Sequence, residues 1–337
     1  MQKLPWTFWL DIQAPRRKGQ LASSRYPVQV NSCYGGPTPI YGFAVLRPLG
    51  AVLGACKNNC PSHRLQVKSE TPIVIECRCY VARQTDYRLI APVFDERYQR
   101  NDYTDTERAL RVFLDSDDPL QILDVGCGTG YWSTRLASSE RRIIGLDSSA
   151  EMLSHARLRT RKSEFVHATA EMLPFAKHSF DRVFCLNSLH HFIDKEAFVR
   201  EAWRVLRIGG SFMSVGLDPH ACLDRWWVYE YFQNTLALDR QRYPSTKAIR
   251  ELLSATGFNN CHTAIVQHLP RRMSARNSLA RGELARTVTS QLAILTDEEY
   301  YCGLDAIQQA ISAADVRGEE LFLISDLRLY ATIAYLR

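Results

Sequence analysis

The sequence predicts an α/β fold in which a mostly parallel sheet carries helices on both of its faces. In the stretch Gln121–Gly130, a short apolar run has the pattern of a strand buried on both faces. Glycines follow this run at every second position, and a helical segment begins at Tyr131. A second apolar run ends in Asp147, 21 positions after Gly126. This alternation of strands and helices is typical of a parallel sheet.

The strand, glycine loop and helix together have the geometry with which an α/β sheet approaches a nucleotide. Glycine allows a sharp backbone turn and lets a ligand come close to the main chain. Asp147 ends the second predicted strand, and a carboxylate in that place can accept both hydroxyls of a ribose. An alternative role for Asp147 is the N-cap of the helix that begins near Ala150.

The spacing of the glycines argues against a dinucleotide. A dinucleotide fingerprint reads G-x-G-x-x-G and places a pyrophosphate at a helix N-terminus. Here the spacing is G-x-G-x-G, and Asp124 comes directly before the loop. An acid at the end of the strand repels a pyrophosphate but suits a cation, which disfavours a nicotinamide-dependent oxidoreductase.

The run Asp124-Val-Gly-Cys-Gly-Thr-Gly130 resembles the first motif of class I S-adenosylmethionine-dependent methyltransferases, and the chain is similar to the small-molecule type that acts on quinones. The resemblance covers residues 87–266 and implies a Rossmann-like, seven-stranded, mostly parallel sheet with S-adenosylmethionine as cofactor. In that family the acid at the strand end lies near the aminoacyl group and the second acid holds the ribose. The resemblance gives these roles to Asp124 and Asp147.

The predicted cofactor-binding residues follow the ends of four strands. They are Asp124, Gly126, Cys127, Gly128, Gly130, Asp147, Ser148, Thr169, Ala170, Glu171 and Asn187. Residues 168–175 resemble the family's third motif, whose acidic residue usually contacts the adenine amino group. This chain has Thr169 in place of that acid, and a threonine can still accept a hydrogen bond. A cap or a salt bridge is the alternative role for Glu171.

The fourth predicted strand, Phe180–Leu186, leads into Asn187 at the sheet edge that holds the ligand in an open parallel sheet. His190 and His191 follow and are weak candidates for a general base. Alternatively, one of them packs under the next helix and the other is exposed. No further catalytic residue is predicted, because methyl transfer needs alignment and exclusion of water rather than covalent chemistry from the protein.

The segment Tyr87–Asp95 resembles the stretch before the core in small-molecule methyltransferases, where a Tyr-Asp pair closes over the cofactor. Here the pair is Phe94-Asp95, which lacks the hydroxyl. The remaining elements are predicted from periodicity and capping signals. The helices are Glu107–Leu114, Ala150–Arg159, Lys195–Leu206 and one with Ser245 as its N-cap that runs to about Ala255 and stops at Gly257. The further strands are 165–167, 211–216, 258–266 and 327–336.

Two insertions stand outside this pattern, at residues 218–244 and 270–325. The first contains six large aromatic residues: Trp226, Trp227, Tyr229, Tyr231, Phe232 and Tyr243. The second contains helix candidates at Ser278–Leu292 and Asp297–Ala313, the latter behind a Thr296–Glu299 capping box and with an apolar stripe from Tyr300 to Ile311. Together they predict a hydrophobic lid over a small apolar substrate; plain packing over the sheet is the alternative.

The charge is unevenly distributed. Residues 1–69 contain nine Lys/Arg and one acid, whereas residues 70–337 contain 33 Lys/Arg and 35 acids. We therefore predict a poorly ordered basic leader over residues 1–84 and a methyltransferase domain over residues 85–337. A transit peptide, or a true start near Val81, would also explain the leader. The near-neutral domain disfavours a nucleic-acid surface.

The ten cysteines match no strong metal-binding pattern, so no metal is predicted. Five of them precede residue 80, and the others are typical of thiols in a reducing compartment, which favours a cytoplasmic location. The apolar patch between Tyr41 and Cys56 is broken by Arg47, Pro48 and Gly50, so no stable membrane insertion is expected.

The predicted function is S-adenosylmethionine-dependent methyl transfer to a small, apolar molecule. Alternatives are a non-catalytic cofactor-binding protein of the same fold, a nicotinamide-dependent oxidoreductase and a nucleic-acid methyltransferase. The acceptor atom and the oligomeric state stay open.

Overall fold

The chain divides into two compact units, Met1–Arg83 and Gln84–Arg337. The computed structural model describes residues 85–337 apart from 86, 89, 161 and 162, together with the backbone of short strands in the first unit. Those strands are Trp6–Pro15, Leu21–Val30, Ala44–Leu46, Ala51–Leu53, Arg64–Gln66 and Val74–Glu76. The other residues predicted to form a disordered leader, including its five cysteines, lie outside the described residues.

The second unit is built on an eight-stranded sheet. Its strands are β1 (Leu120–Val125), β2 (Arg141–Asp147), β3 (Glu164–His167), β4 (Phe180–Leu186), β5 (Leu206–Gly216), β6 (Arg225–Trp226), β7 (Asn259–Ser274) and β8 (Phe322–Tyr335). Strands β3, β2, β1, β4 and β5 are parallel in that order, and β8 pairs antiparallel with β5, β6 and β7. The predicted α/β, Rossmann-like sheet is confirmed, with the two-residue β6 as an eighth strand.

Helices and shorter turns connect these strands. The α-helices are α1 (Glu96–Arg100), α2 (Thr104–Phe113), α3 (Tyr131–Leu136), α4 (Ala150–Arg159), α5 (Lys195–Val205), α6 (Trp227–Tyr231), α7 (Thr235–Arg242), α8 (Thr246–Thr256), α9 (Ala275–Ala280), α10 (Ser290–Ala293) and α11 (Asp297–Val316). Single 3₁₀ turns lie at Ala91–Val93, Leu189–His191 and Arg286–Val288. Ser245 caps α8 and Gly257 ends it in a left-handed conformation, both as predicted.

The central strands are buried on both faces, as their continuous apolar runs predict. Successive side chains of a strand point to opposite faces. In β1, Leu123 packs in the cluster formed with α5 and α8, whereas Ile122 packs in the cluster formed with α2 and α3. In β4, Val183 packs in the cluster with α5 and α8, and Phe184 packs in the cluster with α2 and α3.

The second insertion differs from its prediction. Because β7 continues to Ser274 and β8 begins at Phe322, the inserted residues are 275–321. The single helix predicted over Ser278–Leu292 is wrong: Gly282 has a φ of +69°, which an α-helix cannot contain, and α9 and α10 lie on either side of it. The capping box of Thr296 and Glu299 begins α11 as predicted.

The two insertions share a hydrophobic cluster of their own. Trp226, Trp227 and Phe232 of the first insertion pack with Tyr300 and other residues of α11. A Cβ atom on Gly303 of α11 would lie 2.2 Å from the Phe232 ring, so this helix approaches the first insertion closely. The apolar stripe of α11 therefore packs against the first insertion.

No helix among the described residues is long and apolar enough to cross a membrane.

A shortened chain that begins at Val81 is expected to fold and to bind S-adenosylmethionine as the full chain does. The reason is that residues 84–337 form a compact unit with its own hydrophobic clusters. Thermal unfolding and calorimetric titration of both chains provide the check. A fall in the unfolding midpoint of more than about 4 °C, the shift produced by about 1 kcal/mol in a domain of this size, would contradict the prediction.

Candidate functional site

The carboxyl ends of β1, β2, β3 and β4 meet at one edge of the sheet. Val125 of β1 lies opposite Leu146 of β2, and Asp147 lies opposite His167 of β3. These strand ends, with the loops that follow them, contain all the residues predicted from the sequence to bind a cofactor. An open parallel sheet binds its ligand at this edge.

The glycine loop after β1 has a backbone that other residues do not readily adopt. Gly126, Gly128 and Gly130 have φ values of +72°, +55° and +68°. A Cβ atom on Gly126 would lie 2.4 Å from the Cβ of Ser188, and one on Gly130 would lie 2.7 Å from the Phe165 ring. The loop is therefore a tight turn held against neighbouring loops.

Asp147 joins the glycine loop to the end of β2. The backbone N–H groups of Gly128 and Ser149 donate to its two carboxylate oxygens, at 2.8 and 2.9 Å. Ser149, and not Asp147, is the N-cap of α4, because its hydroxyl accepts from the N–H of Met152. Burial raises the pKa of Asp147, and the two backbone donors lower it in part. The carboxylate is thus fixed beside the loop, where a ribose could bind.

Asp124 is a buried carboxyl group one residue before the end of β1. Ser133 Oγ donates to Asp124 Oδ2 at 2.6 Å. Burial, with a contribution from nearby Asp147, raises the pKa of Asp124 to about 7. Within the described part of the chain, neither Asp124 nor Asp147 has a salt-bridge partner. Two neighbouring acids without a cation are suited to a positively charged ligand.

Aromatic rings surround the same end of the loop. Tyr98 and Tyr131 stack with ring centroids 3.6 Å apart, and Trp132 and Tyr103 contact Tyr98 by their edges. The charge of Asp124 contributes to the raised pKa of Tyr98, which places this ring near the carboxyl group. Ring faces attract cations, so the cluster adds to the preference of the two acids.

The segment before the core covers the glycine loop. A Cβ atom on Gly128 would lie 3.5 Å from the Phe94 ring. Thr129 Oγ1 donates to Asp95 Oδ1 at 2.6 Å, and Arg159 forms an ion pair with Asp95. Phe94 thus contributes a ring over the loop, and Asp95 anchors the segment to it.

The other predicted cofactor-binding residues have different environments. Thr169 and Ser148 are exposed, whereas the side chain of Ala170 is buried in the core. Glu171 accepts the N–H groups of Ile193 and Asp194 just before α5, at 2.7 and 3.3 Å. Glu171 therefore supports a neighbouring loop, in agreement with its alternative role as a cap. In the glycine loop, burial raises the pKa of the Cys127 thiol well above its usual range.

A cavity of about 190 Å³ lies next to this edge of the sheet. Phe94, Asn187, His190 and His191 line one part of it. The two insertions supply much of the remaining wall, with Trp226, Trp227 and Tyr243 from the first and Val288, Thr289, Ser290 and Gln291 from the second. The cavity thus adjoins both the cover of the glycine loop and the insertions.

Both candidate histidines face tyrosine hydroxyls in the cavity wall. The Tyr87 hydroxyl and His191 Nε2 form a short hydrogen bond, and the Tyr243 hydroxyl lies 2.9 Å from His190 Nε2. Burial, aided by the positive charges of Arg242 and Arg97, lowers the pKa of His191 to about 3. Burial also lowers the pKa of His190 far below its ordinary value. Both rings are therefore neutral near pH 7, which favours hydrogen bonding over proton acceptance.

Sequence reasoning missed three polar residues of this wall. Gln291 Nε2 donates to the Tyr243 hydroxyl at 3.1 Å, and Arg97 lies over the Phe94 ring. The sequence identifies Tyr243 only as one of the six large aromatic residues of the first insertion, without a role for its hydroxyl. No group of three or more potential metal ligands occurs among the residues that the structure describes.

The fold and the glycine loop at its carboxyl edge are typical of the class of α/β proteins that bind a nucleotide cofactor. The comparisons agree with this class. Residues 123–214 match the family model described as "Methyltransferase domain".

Two named relatives and one solved structure that are similar to this chain are also methyltransferases. The chain is 35% identical over 130 residues to the uncharacterized methyltransferase YcgJ of Bacillus subtilis, covering 37% of this chain and 49% of that protein. It is 29% identical over 165 residues to a demethylmenaquinone methyltransferase of Lactococcus lactis, covering 41% and 66%. A putative methyltransferase of an antibiotic biosynthesis pathway from Anabaena variabilis has the same fold, with a TM-score of 0.54, 21% identity and coverage of 68% and 96%.

Residues 123–214 of the second unit thus match a methyltransferase domain, and the unit has the Rossmann-like fold of a solved methyltransferase. The chain spans about half to two thirds of the length of the curated relatives named above.

Proposed function

We propose that this protein transfers a methyl group from S-adenosylmethionine to a small, largely apolar acceptor bound in the cavity under the two insertions. The observation that carries the proposal is the position of that cavity, whose wall includes both Phe94, the cover of the glycine loop, and the insertion tryptophans. Bound donor and acceptor would then share the carboxyl edge of the sheet.

The residues at the loop fit this methyl donor. The cofactor supplies an electrophilic methyl group on a sulfonium, and its amino group is a second positive charge. Asp124, with the aromatic cluster of Tyr98 and Tyr131 beside it, would bind the positively charged amino group of the aminoacyl end. Asp147 would accept the ribose hydroxyls, since its carboxylate is already held at the loop by two backbone N–H groups.

The rest of the site aligns the acceptor and excludes water. The cavity wall contains neutral histidines bonded to tyrosines and no residue poised as a strong base. Catalysis by positioning agrees with this chemistry, because an in-line transfer gains most of its rate from orientation and desolvation. His190, His191 and Asn187 would orient the acceptor through hydrogen bonds.

A label-transfer screen tests the proposal. The full chain would be incubated with S-adenosylmethionine carrying a tritiated methyl group and a panel of hydroquinones, phenols and carboxylic acids. Hydroquinones are included because the names of two relatives, the demethylmenaquinone methyltransferase of Lactococcus lactis and a chloroplastic 2-methyl-6-phytyl-1,4-hydroquinone methyltransferase of Arabidopsis thaliana, point to such acceptors. Label in a small-molecule product is expected. Cofactor binding without transfer to any panel member would favour the non-catalytic alternative, and transfer to nucleic acid alone would contradict the proposed acceptor class.

Replacing Trp226 by Ala is expected to reduce methyl transfer by at least about tenfold while S-adenosylhomocysteine affinity stays within about twofold. The reason is that Trp226 lines the cavity but lies in the insertion, away from the glycine loop. Initial rates and calorimetric affinities provide the two measurements.

Trp203→Ala is the matched control for this variant. Trp203 lies in α5, is 38% exposed and does not line the cavity, so its loss should leave transfer unchanged. If Trp226→Ala retains full transfer and only unfolds at a lower temperature, the tryptophan serves the core of the insertions, and the lid proposal is wrong.

A further inference from the structure

The wall of the cavity carries an excess of positive charge. Arg97, Arg100 and Arg271 line it, and Glu283 is the only carboxylate among its described lining residues. Arg100 is paired with Glu96, and an Arg271 Nη atom lies 3.7 Å from a Glu283 carboxylate oxygen. These pairs leave one guanidinium of the wall without a carboxylate partner among the described residues, that of Arg97.

Arg97 is held in a fixed orientation at this wall. Its Nε donates to the backbone carbonyl of Phe94 at 3.0 Å, and its guanidinium carbon lies 3.7 Å from the centroid of the Phe94 ring. The two contacts occupy one donor and one face of the guanidinium. The terminal nitrogens keep their planar fork of N–H donors, the arrangement that binds a carboxylate with two parallel hydrogen bonds.

Two further cationic side chains lie near the cavity, and one of them, Arg242, is paired with Asp239 at 2.6 Å. Arg242 and Lys195 lie close enough for their charges to depress the pKa of both histidines, as does Arg97. Burial is the main cause of the lowered pKa of both histidines, which are neutral and therefore cannot themselves balance an anion or repel one. On the other side, Asp147 is near enough to raise the pKa of Tyr87, but it lies at the end of β2 and already accepts hydrogen bonds from two backbone N–H groups.

We infer that the methyl acceptor is an otherwise apolar molecule bearing one carboxylate, and that Arg97 binds this group. The inference rests on the proposed function and narrows its substrate class. The apolar body would contact the insertion residues Trp226 and Trp227, and the anion would face α1.

Binding of a matched ligand pair tests the inference. Calorimetric titrations of the full chain, saturated with S-adenosylhomocysteine, would compare 4-hydroxybenzoate with its neutral amide, 4-hydroxybenzamide. The acid is expected to bind at least about tenfold more tightly than the amide, and Arg97→Gln is expected to remove that preference. Arg97→Lys, which keeps the charge but loses the fork, should keep part of it.

Arg108→Gln is the matched control, because Arg108 lies in α2 with an exposed side chain paired to Asp105 and does not line the cavity. This variant should keep the full preference for the acid. Equal binding of acid and amide by the unaltered protein, or an unchanged preference in a folded Arg97→Gln, would overturn the inference.

The label-transfer screen separates this inference from the proposed function. Efficient transfer to neutral acceptors, with no advantage for acids, would leave the function standing and contradict the anion site. A preference for the acid in binding, with no transfer to any acceptor, would support the anion site and contradict the function.

Discussion

Gly126→Ala is expected to weaken S-adenosylmethionine binding by at least about tenfold and to destabilise the domain by about 2–5 kcal/mol. A non-glycine residue with a left-handed backbone costs about 1–2 kcal/mol, and Gly126 has a φ of +72°. Overpacking adds about 1–3 kcal/mol, because the new Cβ would lie 2.4 Å from the Cβ of Ser188. The loop can relieve the clash only by moving, which displaces the surface that would hold the cofactor.

Gly209→Ala is the matched control for this prediction. Gly209 also has a left-handed backbone, with a φ of +81°, but no atom lies within 4 Å of its added Cβ. Only the backbone cost is therefore expected, and cofactor affinity should not change. The double variant Gly126→Ala/Ser188→Gly should recover part of the stability lost, since it removes the clashing Cβ. Equal effects of Gly126→Ala and Gly209→Ala on cofactor binding would contradict the account of the loop.

Asp147→Ala is expected to weaken S-adenosylmethionine binding by about 1–3 kcal/mol, the cost of leaving hydrogen-bonding groups without partners. The carboxylate accepts the N–H of Gly128 and would also accept the ribose hydroxyls. Calorimetric titration measures the loss. Because the variant also frees the Gly128 N–H, the ribose contact needs a separate measurement with a ligand that lacks the hydroxyls.

A 2′-deoxy analogue of S-adenosylhomocysteine provides that measurement. The unaltered protein should bind the analogue more weakly than S-adenosylhomocysteine, and Asp147→Ala should bind the two almost equally. Asp181→Ala serves as the control, because Asp181 also accepts a backbone N–H, that of Gln121, but lies at the amino end of β4. If Asp147→Ala keeps the affinity of the unaltered protein, the ribose assignment is wrong.

The features that sequence reasoning recovered are those encoded within a few neighbouring residues. The buried strand β1, Asp124 near its end and the glycine loop form one local pattern. The capping box at Thr296 and the stop at Gly257 are equally local. In each case the residues that make the structure are adjacent in the chain, so their chemistry can be read without knowledge of the fold.

The features it missed depend on contacts between distant residues or on exposed surfaces. Gln291 reaches Tyr243 from 48 positions away, a contact that the packing of two insertions creates. The predicted strand ended at residue 266, whereas β7 continues to Ser274. Most of its side chains are at least partly exposed, so polar residues such as Arg271 and Arg272 interrupt the alternation of polar and apolar residues that predicts a strand. Gly282 breaks the helix predicted from Ser278, because its backbone is left-handed. A glycine destabilises the interior of a helix by only about 1 kcal/mol, so its presence in the sequence does not by itself predict a break.

The central claim is that the carboxyl edge of this sheet binds S-adenosylmethionine through two acids and a glycine loop. Parallel calorimetric titrations of the full chain with S-adenosylmethionine and with NAD test it most directly. We predict micromolar-range binding of S-adenosylmethionine with one site per chain, and no measurable binding of NAD. Binding of NAD with equal or higher affinity, or no binding of S-adenosylmethionine by the folded chain, would contradict the claim.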